Sequence, residues 1–198
     1  MNGIINVYKE RGFTSHDVVA KLRGILHMKK IGHTGTLDPD ATGVLPVCLG
    51  KATKVCGLLT DKDKTYRAVV KLGVMTNTED MTGEILAKHP VLVTKEQIER
   101  AVSKFVGEIE QVPPMYSAIK INGKKLYEYA RAGEKVEIEP RKIEIYKIDL
   151  NKYDKNIISF VVSCSKGTYI RSLCEDIAGK LNTVGSVSYT HLTLPTIA

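Results

Sequence analysis

The hydrophobic period changes repeatedly along this chain, and that change restricts the fold more than any other feature of its 198 residues. In residues 65–74, TYRAVVKLGV, apolar Ala68, Val70, Leu72 and Val74 alternate with Arg67 and Lys71, the pattern of a half-buried strand. Residues 136–150 alternate again through Val136, Ile138, Ile143, Ile145 and Ile148, and residues 156–163 read as a further strand. Between these, the spacing turns helical. Residues 14–27 place Val18, Leu22, Ile25 and Leu26 on one face behind a Thr14 or Ser15 cap, with Asp17 in the first turn. Residues 94–106 put Ile98, Ala101, Val102 and Phe105 in one stripe. Thr94 and Gln97 form a capping box there, and Gly107 is the stop. Residues 169–181 align Ile170, Leu173, Ile177 and Leu181. Strands and helices are interspersed without a regular βαβ rhythm, and no Gly-rich phosphate loop follows a strand. The expected class is α+β, with a central mixed, mostly antiparallel sheet flanked by helices.

Charge and cysteine usage bound the function classes. Lys and Arg number 29 against 22 Asp and Glu, a net charge of +7, which permits a nucleic-acid partner without requiring one. Residues 1–60 hold eight cations against four carboxylates and residues 114–142 hold seven against four, whereas 181–198 hold none. No apolar run approaches the roughly 20 residues of a membrane span. Charges at Lys9, Glu10 and Arg11 come too early for a secretory segment, so a cytoplasmic protein without a membrane partner is expected. Cys48, Cys56, Cys164 and Cys174 lack zinc-knuckle or redox spacing and read as buried free thiols.

Four segments carry candidate chemistry. Residues 31–46, IGHTGTLDPDATGVLP, form a loop stiffened by prolines and opened by glycines, which suits the fixing of Asp38 in one orientation. An Asp-Pro in such a loop is equally a turn former. His33 reads as a base, a ligand, a stacking partner or simply a hydrogen-bonded loop residue. In residues 164–176, CSKGTYIRSLCED, Lys166-Gly167 turns the chain into a helix that begins near Tyr169 and Arg171. That arginine suits an anion clamp or a pair with Glu175 at i+4. In residues 61–67, DKDKTYR, Tyr66 opens a strand. In residues 114–135 an Asn122-Gly123 hairpin signal precedes a basic helix. Tyr116, Lys120, Lys124, Lys125, Tyr127, Tyr129 and Arg131 there suit base stacking and phosphate contact, or a solvated face.

Taken together, GHTGTLDPDATGVLPVCLGKATK at 32–54, DKTYR at 63–67, PPMYSAIKINGKKLYEYAR at 113–131 and CSKGTYIRSL at 164–173 resemble the TruB-type bacterial tRNA pseudouridine-55 synthases, over roughly residues 3–189. The resemblance implies the pseudouridine synthase fold, with a catalytic domain over 1–189 and a thumb-like insertion at about 114–142. It implies an isomerase that flips the T-loop uridine out of its stack and exchanges the C1′–N1 bond for C1′–C5. Asp38 matches the catalytic aspartate, Arg171 the pocket arginine that keeps it ionised, and Tyr66 the tyrosine that stacks on the base. Tyr169 matches a residue bordering the flipped uridine, and His33 the histidine holding the flipped conformation. Lys120 and Lys125 are substrate-binding candidates of the thumb. The implied partner is the tRNA T-arm, bound by a monomer, with neither metal nor organic cofactor.

Two departures from the family pattern stand out. The usual Lys-Pro-x-Gly-x-Thr-Ser reads here Lys9-Glu10-Arg11-Gly12-Phe13-Thr14-Ser15. The uncharged tail at 190–198 stands where the family continues with basic residues and a C-terminal RNA-binding extension, so it is expected to be foreign or truncated sequence. A family leucine of the uridine pocket falls at Thr190. Two other classes fit parts of the pattern: a non-catalytic RNA-binding module, and a small-molecule hydrolase using Asp38 and Asp40.

Overall fold

The computed structural model describes residues 1–60 and 63–193. Its elements run β1 (Gly3–Lys9), α1 (Ser15–Leu26), β2 (Ile31–His33), β3 (Thr42–Leu49), a 3₁₀ turn (Gly50–Val55), α2 (Cys56–Thr60), β4 (Lys64–Leu72), β5 (Val74–Thr76), β6 (Ile85–Lys88), α3 (Lys95–Ser103) and β7 (Gly107–Gln111). They continue with β8 (Lys120–Ile121), β9 (Lys124–Lys125), α4 (Leu126–Ala132), β10 (Arg141–Asp154), β11 (Ile157–Cys164), α5 (Ile170–Lys180) and β12 (Gly185–Thr193). The described residues divide into two compact units: 1–60 and 63–67 with 189–193, and 68–188.

In the first unit, β3 is paired antiparallel with β1, from Gly3↔Leu49 to Lys9↔Gly43, and with β2, from Ile31↔Leu49 to His33↔Val47. The end of β12 joins β3 in parallel through His191↔Thr42 and Leu192↔Gly43. Leu45, Val47 and Leu49 of β3 are fully buried and meet Val18 and Val19 of α1. Each such side chain contributes about 1.5–3 kcal/mol. Thr14 caps α1: its hydroxyl accepts from the Asp17 amide at 3.0 Å, and the Asp17 carboxylate accepts from the Thr14 amide at 2.8 Å. Val19 replaces Ile25 on the buried face, and Ile25 is exposed. The face is centred between Val18 and Val19, which leaves Ile25 at its edge on the last turn.

In the second unit the strands run β12-β4-β11-β10-β7. Ala68, Val70 and Leu72 of β4 and Ile158, Phe160 and Val162 of β11 form its centre. The expected stripes are buried, Ile98, Ala101 and Val102 on α3 and Ile170, Leu173 and Ile177 on α5, with Phe105 and Leu181 buried just past the helix ends. The helix expected over 94–106 ends at Ser103, and Gly107 opens β7 instead of stopping it. The expected Thr94–Gln97 capping box is present. The mixed, mostly antiparallel α+β class is as expected.

Three boundaries differ. The strand expected at 136–150 starts only at Arg141, because Pro140 has no amide to give the ladder. Its register slips between Ile145 and Lys147, so a bulge carries the buried face from Ile145 to Ile148 across an odd spacing. The loop expected at 31–46 is shorter, since β2 and β3 take both of its ends. Of the tail, 190–193 complete β12 and 194–198 lie outside the described residues, as do 61 and 62 of the DKDKTYR segment. No helix among the described residues is long and apolar enough to cross a membrane.

Candidate functional site

The first unit carries Asp38, His33 and Tyr66. Asp38 sits between two anchored residues, since Leu37 and Ala41 are both buried while Asp38 itself is exposed. Its main chain makes the turn that Asp-Pro favours, with the Ala41 amide donating to the Asp38 carbonyl at 3.0 Å. The turn-forming and functional readings of Asp38 are therefore both open to one residue. The Leu37 amide donates to the Ser15 hydroxyl at 2.9 Å, tying the loop to the start of α1. The Gly12 amide donates to the Pro39 carbonyl at 2.9 Å, and Gly12 has φ +86°, where glycine meets no Cβ penalty. Asp40 is engaged by Arg11 Nε at 3.0 Å on the surface.

Sequence reasoning missed Lys9. It has no exposed surface, and its ammonium donates to the carbonyls of Phe13 at 2.6 Å, Pro39 at 3.0 Å and Glu10 at 3.1 Å. All three donors of the group are satisfied by backbone. Burial pushes its pKa down, while the charges of Asp38, Asp40 and Asp17 hold it up. Lys9 therefore both pins the loop and places positive charge beneath Asp38. The available signal was a lone cation closing a strand of alternating burial, and periodicity alone does not separate that from a solvated strand end.

His33 is half-buried, and its Nδ1 makes no hydrogen bond. Burial lowers its pKa, opposed by the Gly35 backbone and assisted by His16, so the ring is neutral at pH 7. It lies in an open cleft of about 500 Å³ whose lining includes His16, Arg23, Lys29, Lys30 and Thr53. That lining contains no carboxylate, which suits a polyanion. Tyr66 is half-buried and packs against the core cluster containing Leu37 and Ile31. The Cys48 thiol of this unit is pushed up to about 11 by burial and by Cys56. Cys48, Cys164 and Cys174 are buried as expected, while Cys56 is half-buried, and none of the four is in a disulfide.

The second unit carries Tyr169, Arg171, Lys120 and Lys125. Tyr169 is the N-cap of α5 and has no side-chain cap bond of its own. Buried Gln111 substitutes for one: its Nε2 donates to the Tyr169 carbonyl at 3.0 Å, and its Oε1 accepts from the Tyr169 amide at 2.8 Å. Arg171 is 7% exposed. Its Nη1 donates to the Thr78 carbonyl at 3.1 Å and its Nη2 to the Tyr116 carbonyl at 2.9 Å.

Lys120 and Lys125 face each other across the β8–β9 hairpin. Its Asn122-Gly123 turn has φ +51° and +81°, the pair of positive values that this dipeptide favours. The tyrosines here are already occupied by cations. Lys125 and Arg131 lie over Tyr127 at 5.2 and 5.3 Å, and Lys124 lies over Tyr129 at 4.4 Å. The segment presents charge with its rings partly covered. Among the described residues, no group of three or more His, Cys, Asp or Glu side chains is arranged to hold a metal.

Comparison with known proteins gives this arrangement a context. The profile of the TruB family pseudouridylate synthase (N terminal domain) matches residues 23–170. The tRNA pseudouridine synthase B of Alkaliphilus oremlandii is 54% identical over 96% of this chain and 63% of its own length. That of Caldanaerobacter subterraneus is 52% identical over 96% of the chain and 67% of its own length. Among solved structures, a Cbf5-Nop10-Gar1 complex matches with TM-score 0.76 and 34% identity, covering 97% of this chain and 48% of the other. An H/ACA RNP bound to a substrate RNA containing 2′-deoxyuridine matches with TM-score 0.72 and 31% identity, covering 97% and 47%. The chain thus spans 63% of the length of the first of these curated relatives.

Proposed function

The chain belongs to the TruB family of pseudouridylate synthases, and we propose that it isomerises the T-loop uridine of tRNA, position 55, to pseudouridine. The observation that carries this reading is an exposed Asp38 on a loop fixed from below by Lys9 and from the side by Ser15. A reactive carboxylate must stay accessible while its backbone does not move.

Breaking N1–C1′, turning the uracil and forming C1′–C5 replaces one C–N bond with one C–C bond, and a proton leaves C5 as one is gained at N1. The atoms balance within the nucleotide. The base first leaves its stack, at about a few kcal/mol and least where it is already unpaired. Asp38 acts on the ribose as carboxylate, by attack at C1′ or by removing the C2′ proton, and both require its ionised form. Arg171 is assigned to the uridine pocket on the family resemblance. Tyr66 stacks on the uracil and Tyr169 borders it. Neutral His33 holds the extruded conformation of the loop, and its neutrality suits stacking. The cleft around His33 accepts phosphates through Arg23, Lys29 and Lys30. Residues 114–142 act as a thumb, with Lys120 and Lys125 on phosphates. RNA shape and backbone, more than base edges, set recognition of the T-arm.

The test separates chemistry from binding. Asp38→Ala and Asp38→Asn are each expected to abolish pseudouridine formation while RNA affinity stays within a few-fold of wild type. Turnover near wild type in either variant removes Asp38 from the reaction.

A further inference from the structure

The second unit holds a half-buried acid, Glu79, that the reaction as described does not use. Glu79 follows β5 in a tight turn, at φ +62°, a left-handed conformation rare for a residue with a Cβ. Its backbone is fixed on both sides: its amide donates to the Thr76 carbonyl at 3.3 Å, and its carbonyl accepts from the Val187 amide at 3.0 Å. Asp80 holds the same turn, accepting from the Thr82 amide at 3.0 Å and the Thr78 hydroxyl at 2.9 Å. Two consecutive residues of this turn meet two consecutive residues of α5. The Thr78 carbonyl accepts from Arg171, and the Glu79 carboxylate accepts from the Ser172 hydroxyl at 2.9 Å.

We propose that Glu79 is a positioning residue: through Ser172 it locks the turn at 76–80 to the first turn of α5 and thereby fixes the guanidinium of Arg171. The inference rests on the reading of Arg171 as a residue of the uridine pocket. Ser172 is itself buried, so its hydroxyl has little water with which to replace the carboxylate. Without Glu79, the turn keeps its Asp80 side-chain bonds and its pairing with Val187, but it loses the carboxylate tie to Ser172 that sets it against the first turn of α5.

The groups facing Glu79 agree with a tether under load. Burial dominates and pushes its pKa up to about 7, Glu175 and Asp176 add like charge, and Ser172 and Arg171 oppose them. The neighbouring Cys174 thiol is raised, chiefly by burial and then by the charge of Glu79. The ionised carboxylate is the stronger acceptor for Ser172 and the stronger attraction for Arg171, so the lock tightens as pH rises through neutrality.

Two substitutions separate positioning from folding. Glu79→Gly removes the carboxyl at a backbone conformation glycine prefers, so folding is retained. Glu79→Gln keeps an acceptor for Ser172 without the charge. The readouts are pseudouridine formation on a T-arm stem-loop from pH 6 to 8, and the Nε–Hε resonance of Arg171, assigned by its loss in Arg171→Lys.

Glu79→Gly is expected to lower kcat about five- to tenfold with KM within twofold, and to shift or broaden the Arg171 resonance. Glu79→Gln should recover most of the loss at pH 6 and fall behind wild type at pH 8. An Arg171 resonance unmoved in Glu79→Gly, or a kcat within 1.5-fold of wild type, overturns the proposal. An Arg171 resonance that moves in Glu79→Gly, while the wild-type chain itself forms no pseudouridine, sustains the positioning and sinks the functional reading instead.

Discussion

A lysine with no exposed surface is costly unless each of its donors is met, and Lys9 meets that condition with three backbone carbonyls. Its ammonium replaces water as the solvent of the 37–41 turn, so the cost of its burial is offset by order in the segment that presents Asp38. Lys9→Met keeps the length of the side chain and removes all three donors. It is expected to destabilise the protein by about 1–3 kcal/mol, measured by urea unfolding, and to lower turnover about tenfold as the loop loosens. Unchanged stability would show that water replaces the ammonium at no cost. The exposed loop position of Asp38 was legible in the sequence because glycines and prolines crowd that segment. Lys9 was not, because its three partners come from turns separated from it by up to 30 residues, and no local pattern encodes them.

Helix starts were the most readable elements, since capping chemistry is local: the Thr94–Gln97 box forms as its spacing suggests, and of the two cap candidates of α1 it is Thr14 that caps, with Asp17 closing a box that sequence reasoning missed. The start of α5 is different. Its cap is Gln111, 58 residues away in β7, and β7 itself was missed because GEIEQ places charge at alternate positions of a strand with a single buried side chain. Strands β1, β3 and β12 were missed for a related reason: their apolar residues are short runs that acquire a face only by pairing. Gln111→Leu fills similar volume but leaves the Tyr169 amide unpaired, and is expected to cost about 1–3 kcal/mol. Hydrogen exchange should then speed up at the first turn of α5 and not at α3; equal exchange in both helices would deny Gln111 its capping role. Gly73, where β4 passes into β5, has φ +81° and no room for a Cβ, which would lie 2.7 Å from the His89 carbonyl. Gly73→Ala should therefore destabilise more than an exposed helical Gly→Ala such as Gly24→Ala, compared by thermal unfolding.

At the scale of the whole molecule, charge sets both stability and binding. Between about pH 4.5 and 7 the folded chain keeps a proton on Glu79 that the unfolded chain has released. Stability carried by this group is thus greatest below pH 4.5 and declines as pH rises to 7. Glu79→Gln has no such proton, so its stability relative to wild type should rise between pH 5 and pH 7.5 in urea unfolding; a constant difference would place the carboxyl in water. The net charge of +7 and the carboxylate-free cleft of His33 call for RNA affinity that falls steeply with salt. Lys29→Glu with Lys30→Glu should weaken binding to all RNA sequences alike and reduce the salt slope by about 1 for each phosphate no longer neutralised. Conversion of one uridine of a T-arm stem-loop to pseudouridine through Asp38 is what we propose for this chain. Carbodiimide-adduct primer extension, run on that RNA after incubation with wild type or Asp38→Ala, tests it most directly. A stop at the T-loop uridine with wild type alone is the predicted result. A stop that survives in Asp38→Ala, or RNA bound by wild type with no stop at all, would contradict it.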